Sequence, residues 1–205
     1  MSTTINTIIF DLGAVLIDWN PRHLYRKIFS SAEEMEIFLR DICTSEWNET
    51  QDEGRSLAAG TELLVAKFPQ HENNIRAYYG RWTEMLNGEI EGTKNILQQL
   101  KTSGKYKIYA LTNWSDETYP IALNLYPSLH WFDGVVVSGR EKMRKPAPAF
   151  FQLLLNRYHV TAAHALFIDD NERNVLAARA FGIDSILFEN PHQLKIELEN
   201  RSISI

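Results

Sequence analysis

Five short runs of apolar and β-branched residues constrain this chain more than any other feature. They are Ile8-Ile9-Phe10, Lys107-Ile108-Tyr109-Ala110-Leu111, Val135-Val136-Val137, Ala165-Leu166-Phe167-Ile168 and Ser185-Ile186-Leu187-Phe188. Each is nearly continuous. A strand with one face in water alternates apolar and polar residues, so these runs predict strands buried on both faces of a parallel sheet. Helical patterns lie between them. Thr93 to Leu100 places Ile96, Leu97 and Leu100 on one face and is followed by Gly104. Pro148 to Tyr158 carries Phe150, Phe151, Leu153, Leu154 and Leu155, and the alanine-rich stretch Asn174 to Phe181 stops at Gly182, a residue suited to a helix C-terminus. Strand and helix in alternation predict an α/β fold with a doubly wound parallel sheet.

The stretch between the first two runs breaks this rhythm. From Asn20 to Asn87 the pattern is helical and strand-free, with apolar clusters at 24–29, 35–39, 57–68 and 75–86. A crossover between parallel strands needs only about a dozen residues, so this segment is predicted to be an inserted helical subdomain. Residues 1–19 and 88–205 then form the α/β core, and 20–87 the helical insert. A chain of 205 residues can bury enough surface to fold without staples. The single cysteine, Cys43, rules out an internal disulfide and a cysteine-rich zinc site, and reads as a small buried hydrophobe. A net charge of −5 gives no chain-wide basic field for nucleic acid. No apolar run approaches the roughly 18 residues needed to cross a bilayer, and Met1-Ser2-Thr3-Thr4-Ile5 does not have the form of a secretory signal. The expectation is a cytoplasmic protein without nucleic-acid or membrane partners.

Chemistry-bearing residues fall at the ends of the predicted strands. Asp11 follows the first, Thr112 and Asn113 follow the second, and Asp169 and Asp170 follow the fourth. Ligands of open parallel sheets bind beyond the carboxyl ends of the strands, so these five residues are predicted to converge. Three carboxylates at one edge repel, and a divalent cation resolves that repulsion. All-oxygen ligation without His or Cys points to Mg²⁺. Lys145 precedes Pro146 just before the helix starting near Pro148, while its neighbours Arg140, Lys142 and Arg144 read as a solvated charge run. A cation, Lys145, Thr112 and the backbone amides after Asp11 would together hold a phosphoryl group, whose charge is spread over three oxygens.

In Phe10-Asp11-Leu12-Gly13-Ala14-Val15-Leu16, Leu111-Thr112-Asn113, Lys145-Pro146 and Phe167-Ile168-Asp169-Asp170-Asn171 with Asn174, the chain resembles the haloacid dehalogenase superfamily, in particular its phosphatases. The resemblance spans the whole chain. It implies a Rossmann-like core with a helical cap, which would set substrate choice by opening and closing. It implies that Asp11 is the nucleophile, forming an aspartyl-phosphate, and also a Mg²⁺ ligand. Asp170 would be the second carboxylate ligand, with Asp169 beside it accepting from Lys145 or from metal-bound water. Gly13 would ligate through its carbonyl, Thr112 would bind a phosphate oxygen, and Asn113 would orient it.

Many phosphatases of that superfamily carry a second Asp two residues after the nucleophile, as general acid and base. Here that position is Gly13. The alpha-glucose-1-phosphate phosphatases share the Asp-Leu-Gly sequence, and an anomeric hydroxyl leaves with less need of protonation. The resemblance therefore implies a phosphomonoesterase acting on a small phosphorylated metabolite, with a sugar 1-phosphate favoured. Two alternatives stand beside it: a hydrolytic 2-haloacid dehalogenase, and a catalytically weak phosphosugar-binding relative. Trp19 and Trp114 are possible pocket walls, whereas Trp47, Glu53, Tyr78 and Trp82 read as core or surface.

Overall fold

The computed structural model describes residues 4–204. In chain order it forms β1 (Thr7–Phe10), β2 (Ile17–Trp19), α1 (Pro21–Tyr25), α2 (Ala32–Asp41), α3 (Ser45–Asp52), α4 (Leu57–Lys67) and α5 (Glu72–Gly80). There follow β3 (Leu86–Glu89), α6 (Glu91–Ser103), β4 (Lys107–Thr112), α7 (Tyr119–Leu125), β5 (Gly134–Val137) and α8 (Ser138–Glu141). The chain closes with α9 (Pro148–Tyr158), β6 (Ala165–Asp169), α10 (Glu172–Ala180), β7 (Asp184–Leu187) and α11 (Pro191–Asn200).

All five expected strands form one parallel sheet in the order β5-β4-β1-β6-β7. Its strands are buried on both faces because alternate residues feed two separate cores. Ile8, Phe10, Ile108, Ala110, Leu166 and Ile168 join one cluster with Leu97 of α6 and Leu194 of α11. Ile9, Tyr109, Leu111 and Phe167 join the other with Phe150 and Phe151 of α9 and Ala178 of α10. Each such aliphatic or aromatic side chain contributes about 1.5–3 kcal/mol by leaving water. Helix α6 ends where Gly104 takes φ +63°, a left-handed cap that only glycine adopts without strain.

Register does the rest. Phe10 pairs with Ala110 on one side and Ile168 on the other. Thr112 lies opposite Val137, and the Asp11 amide donates to the Ile168 carbonyl at 2.8 Å. The next residues along β1, β4 and β6 therefore emerge side by side at one edge of the sheet.

The segment between β1 and α6 departs from the expected strand-free pattern. β2 and β3 pair antiparallel, with Ile17 opposite Glu89 and Trp19 opposite Leu86, so a strand begins at Leu86 inside the 20–87 range. The Asn87 side-chain amide also donates to the Asp18 carboxylate at 2.9 Å. Both strands are short, and Asp18, Asn87, Gly88 and Glu89 give them no apolar run to detect. Helices α1 to α5 lie between these two strands; α2 spans the cluster at 35–39, α4 nearly all of that at 57–68, and α1 and α5 only the first parts of those at 24–29 and 75–86. Helix α3 matches none of them.

Candidate active site

Asp11 leaves β1 into a tight turn. The Leu12 amide donates to Asp11 Oδ1 at 2.7 Å, which fixes the carboxylate. Ala14 sits at φ +58°, a left-handed conformation that costs a non-glycine residue about 1 kcal/mol. That turn swings the chain away and leaves Gly13 facing open space: a Cβ built there would meet nothing within 4 Å.

Lys145 is completely buried, between two carboxylates. Its Nζ lies 2.9 Å from Asp11 Oδ1 and 2.7 Å from Asp169 Oδ2. Burial alone would lower its pKa, but Asp11 and Asp169 more than offset this and hold it raised, so the ammonium persists. The Lys145 backbone is clasped by one side chain. Asn113 Nδ2 donates to the Lys145 carbonyl at 3.0 Å, and the Lys145 amide donates to Asn113 Oδ1 at 2.9 Å. Asn113, expected to orient phosphate, thus has its amide engaged with Lys145.

Asp169 is also fully buried. Both of its oxygens are taken. The Asn171 amide and Asn174 Nδ2 donate to Oδ1 at 2.8 and 3.0 Å, while Lys145 and Asn174 Nδ2 donate to Oδ2 at 2.7 and 3.1 Å. Asn174, which the sequence shows only as part of a motif, steadies this buried carboxylate. Asp170 is exposed.

Ligand atoms of Asp11, Asp169 and Asp170 all lie within 4.8 Å of one another. Burial pushes the Asp11 carboxyl up to about 7, with Lys145 opposing and Asp169 and Asp170 adding to the rise. Asp170 is exposed as a residue, yet protein packed around its carboxyl, and then Asp169, raise it too. Carboxyls held this far above their ordinary range gain most from a cation. Their hard oxygen donors fit Mg²⁺. At the end of β4, Thr112 Oγ1 is buried without a hydrogen-bond partner, a cost of about 1–3 kcal/mol unless a ligand supplies one.

A cavity of ≈ 750 Å³ opens above these groups, with Asp11, Gly13, Asn113 and Asp170 on its floor and Trp19, Asn48, Asp52 and Tyr78 among its walls. A smaller pocket of ≈ 60 Å³ shares Gly13, Trp19, Asn113 and Asp52, and adds Trp82, Trp114 and Tyr79. Trp19 and Trp114 do border the cavities. Tyr78 and Trp82, read from sequence as core or surface, are buried and border them as well. A further cleft of ≈ 490 Å³, lined by Thr7, Lys107 and Thr161, lies at the start of β1 and β4, away from these carboxylates.

The model of the haloacid dehalogenase-like hydrolases matches residues 5–182, which is most of the sheet and all of the residues just described. The chain belongs to this family. Sesquiterpene phosphatase astK of Aspergillus oryzae is 28% identical over 187 residues, covering 89% of each chain. The phosphorylated carbohydrates phosphatase of Thermotoga maritima is 25% identical over 189 residues, covering 89% of this chain and 84% of that one. Among solved structures, the haloacid dehalogenase family enzyme bt-2542 of Bacteroides thetaiotaomicron, in complex with magnesium and inorganic phosphate, superposes with a TM-score of 0.66. It is 21% identical, covering 91% of this chain and 95% of that one. This haloacid dehalogenase-like hydrolase is therefore an enzyme with phosphatases among its relatives. Among the described residues, no helix is long and apolar enough to cross a membrane.

Two of the cations read as solvated do more than that. Lys142 Nζ donates to the Gly54 carbonyl at 3.0 Å, and Arg144 pairs with Glu49 at 3.0 Å and Glu53 at 3.3 Å. Glu49 also meets Arg173 at 2.6 Å. Helix α3 is thereby tied to the loop that carries Lys145 and to the first turn of α10, which follows Asp170. Arg140 pairs with Asp116 at the surface.

Proposed function

We propose that the protein is a Mg²⁺-dependent phosphomonoesterase acting on a small phosphorylated metabolite, through an aspartyl-phosphate on Asp11. A sugar phosphate is the favoured substrate class, and a sugar 1-phosphate within it. One observation carries the reading: the buried Lys145 ammonium sits between Asp11 and Asp169, with Asp170 beside them, and Asp11 and Asp170 line the cavity.

Asp11, Asp170 and the Gly13 carbonyl would hold Mg²⁺, with Asp169 beside them fixing Lys145. When bound, the ion neutralises charge on the phosphoryl oxygens. Asp11 then attacks phosphorus, a P–O bond to Asp11 forms, and the bond to the substrate oxygen breaks. Lys145 has three N–H donors. Two are directed at Asp11 and Asp169, which leaves one for a phosphoryl oxygen. The unpartnered Thr112 hydroxyl donates to another. Asn113 contributes by holding the Lys145 backbone. Water next attacks phosphorus and releases inorganic phosphate and free Asp11.

Helices α1–α5 are read as a cap over this floor. Their Tyr78 and Tyr79, with Trp82 just beyond α5 and with Trp19 and Trp114, offer aromatic faces that suit a sugar ring. A dehalogenase is disfavoured, because displacing halide needs no cation and would leave Asp170 only to repel the nucleophile.

The test is a panel of sugar 1-phosphates, sugar 6-phosphates, phosphoglycolate and prenyl phosphates, assayed with Mg²⁺ and with chelator, using Asp11→Asn as the blank. Mg²⁺-dependent turnover that is fastest on anomeric phosphates and absent in Asp11→Asn is expected. Turnover that survives chelation, or persists in Asp11→Asn, contradicts the mechanism. Equal rates on 1- and 6-phosphates contradict the substrate preference alone.

A further inference from the structure

Resting on the phosphomonoesterase reading, we propose that Asp52, the last residue of α3, donates the proton to the leaving-group oxygen that Gly13 cannot supply. Gly13 has no side chain, and the space where one would stand is open to the cavity. Asp52 lines both the ≈ 750 Å³ cavity and the ≈ 60 Å³ pocket, and Gly13 and Asn113 line the same two spaces. Asp52 thus brings an acid to the space that Gly13 borders without a side chain.

Its carboxyl is held in place. Asn48 Nδ2, one turn earlier, donates to Oδ2 at 2.8 Å, and the Ser115 backbone lies close enough to lower its pKa. The Asp52 carbonyl accepts from Ser138 Oγ, which joins the end of α3 to the end of β5. Among the described residues Asp52 joins no ion pair. The nearby cation, Arg144, is directed to Glu49 and Glu53. The charged and titratable groups around it are Glu49 on α3, Asp11 at the end of β1, Arg144 before α9, and Tyr78 and Tyr79 on α5. Asp52 is half-buried as a residue, but its carboxyl is crowded by protein, and that desolvation pushes it up to about 8; Glu49 and Asp11 add to the rise, while the Ser115 backbone and Arg144 oppose it. A group so placed carries its proton at neutral pH, as a general acid must.

The step balances. As the bond from phosphorus to the substrate oxygen breaks, that oxygen takes the Asp52 proton and leaves as an alcohol. In the second half-reaction the Asp52 carboxylate takes a proton from the attacking water, whose oxygen bonds phosphorus as the bond to Asp11 breaks.

The discriminating measurement is kcat/KM on alkyl and on p-nitrophenyl phosphates, for the parent, Asp52→Asn, Gly13→Asp/Asp52→Asn and Asp11→Asn, with saturating Mg²⁺. This constant reports only steps up to loss of the leaving group. An alkoxide must be protonated to leave, whereas p-nitrophenolate need not be. Asp52→Asn is expected to lose about 10²-fold on alkyl phosphates and less than a tenth of that on the aryl ester. The double variant is expected to regain at least roughly tenfold on the alkyl esters. In the parent, kcat/KM on alkyl phosphates is expected to fall above about pH 8, with no matching fall on the aryl ester; this readout needs no variant. Equal losses on both ester types, or a parent pH profile that is the same for both, overturn the proposal and leave Asp52 a tether for α3. If no ester shows turnover that depends on Asp11, the phosphomonoesterase reading fails and the role of Asp52 falls with it.

Discussion

Thr112 and Lys145 are both buried at the site, yet substitution should affect stability in opposite directions. Thr112→Val removes a hydroxyl that has no partner in the free protein. It is expected to leave the melting temperature unchanged or raised, with a gain of up to about 1 kcal/mol. The same change should weaken competitive inhibition by inorganic phosphate roughly tenfold, because a hydrogen bond to a charged group is worth about 1.5–3 kcal/mol. Lys145→Met strands the fully buried Asp169 without a counter-charge. Breaking such a pair costs about 3–5 kcal/mol, so urea unfolding should show a large loss, and adding Asp169→Asn should recover part of it. The residues that fall at strand ends were legible in the sequence because a buried strand announces where it stops. Asn113 was only half legible: its position follows from the strand, but nothing in the sequence says that its amide serves the Lys145 backbone. Asn174 falls within a motif, but its bonds to Asp169, five residues earlier, depend on how α10 turns back on β6. Asp52 meets Gly13 and Asn113 only across long stretches of chain, and no local pattern marks it.

At the scale of elements, α3 is the instructive one. Its sequence, Ser-Glu-Trp-Asn-Glu-Thr-Gln-Asp, buries only Gln51. Periodicity reveals helices that bury an apolar stripe, and α3 instead sits between core and cavity, held by polar contacts. Thr44 caps it by accepting from the Trp47 amide at 3.1 Å, and Glu49 ties it to Arg144 and Arg173. The β2–β3 ribbon escapes detection for a related reason, being short and polar. Glu49→Ala releases Arg173 and leaves Arg144 with Glu53 alone. The expected outcome is a stability loss below about 1 kcal/mol, since such pairs are partly solvated, together with a several-fold rise in KM as α3 loses its hold over the floor. Titrating the parent with salt should move KM the same way. An unchanged KM in Glu49→Ala would show that the ion pairs do not position the cavity wall. Gly54, just beyond α3, has φ +105°, and a Cβ there would stand 2.5 Å from Lys142 Nζ and 2.9 Å from the Gly139 carbonyl. Gly54→Ala should therefore destabilise the protein and disturb the same wall.

For the whole molecule, pH reports on the buried acids. Asp52 rises from 3.8 to about 8 on folding, so the native state keeps a proton that the unfolded chain gives up. The sign follows: this group favours folding most below pH 3.8, and its contribution falls as pH rises to about 8, then levels. Glu84 works the other way. Held down to about 2 by Arg81 and Lys27, it contributes above its ordinary range and loses that contribution as pH falls. Asp52→Asn removes the first slope, so its stability relative to the parent should be higher at alkaline than at acidic pH. Denaturant unfolding at both ends of the range checks this. Mg²⁺ should raise the parent melting temperature, because it binds the native acid cluster and not the unfolded chain. Asp170→Asn should blunt that rise. The layered sheet, with helices on both faces and its reactive residues at one edge, was legible from the five apolar runs and their order. Of the cavity wall, only Trp19 and Trp114 were; the rest is assembled from a polar helix and from aromatics that look the same in sequence whether they face a core or a ligand.

The central claim is that Asp11 carries the phosphoryl group. It is tested most directly by quenching the enzyme in acid during steady turnover, reducing with borohydride, and locating the reduced residue by mass spectrometry. An aspartyl-phosphate is reduced to homoserine. The account predicts homoserine at position 11, only when substrate and Mg²⁺ are both present, and none at Asp52, Asp169 or Asp170. Continued turnover with Asp11 unmodified, or homoserine at another acid, would contradict it.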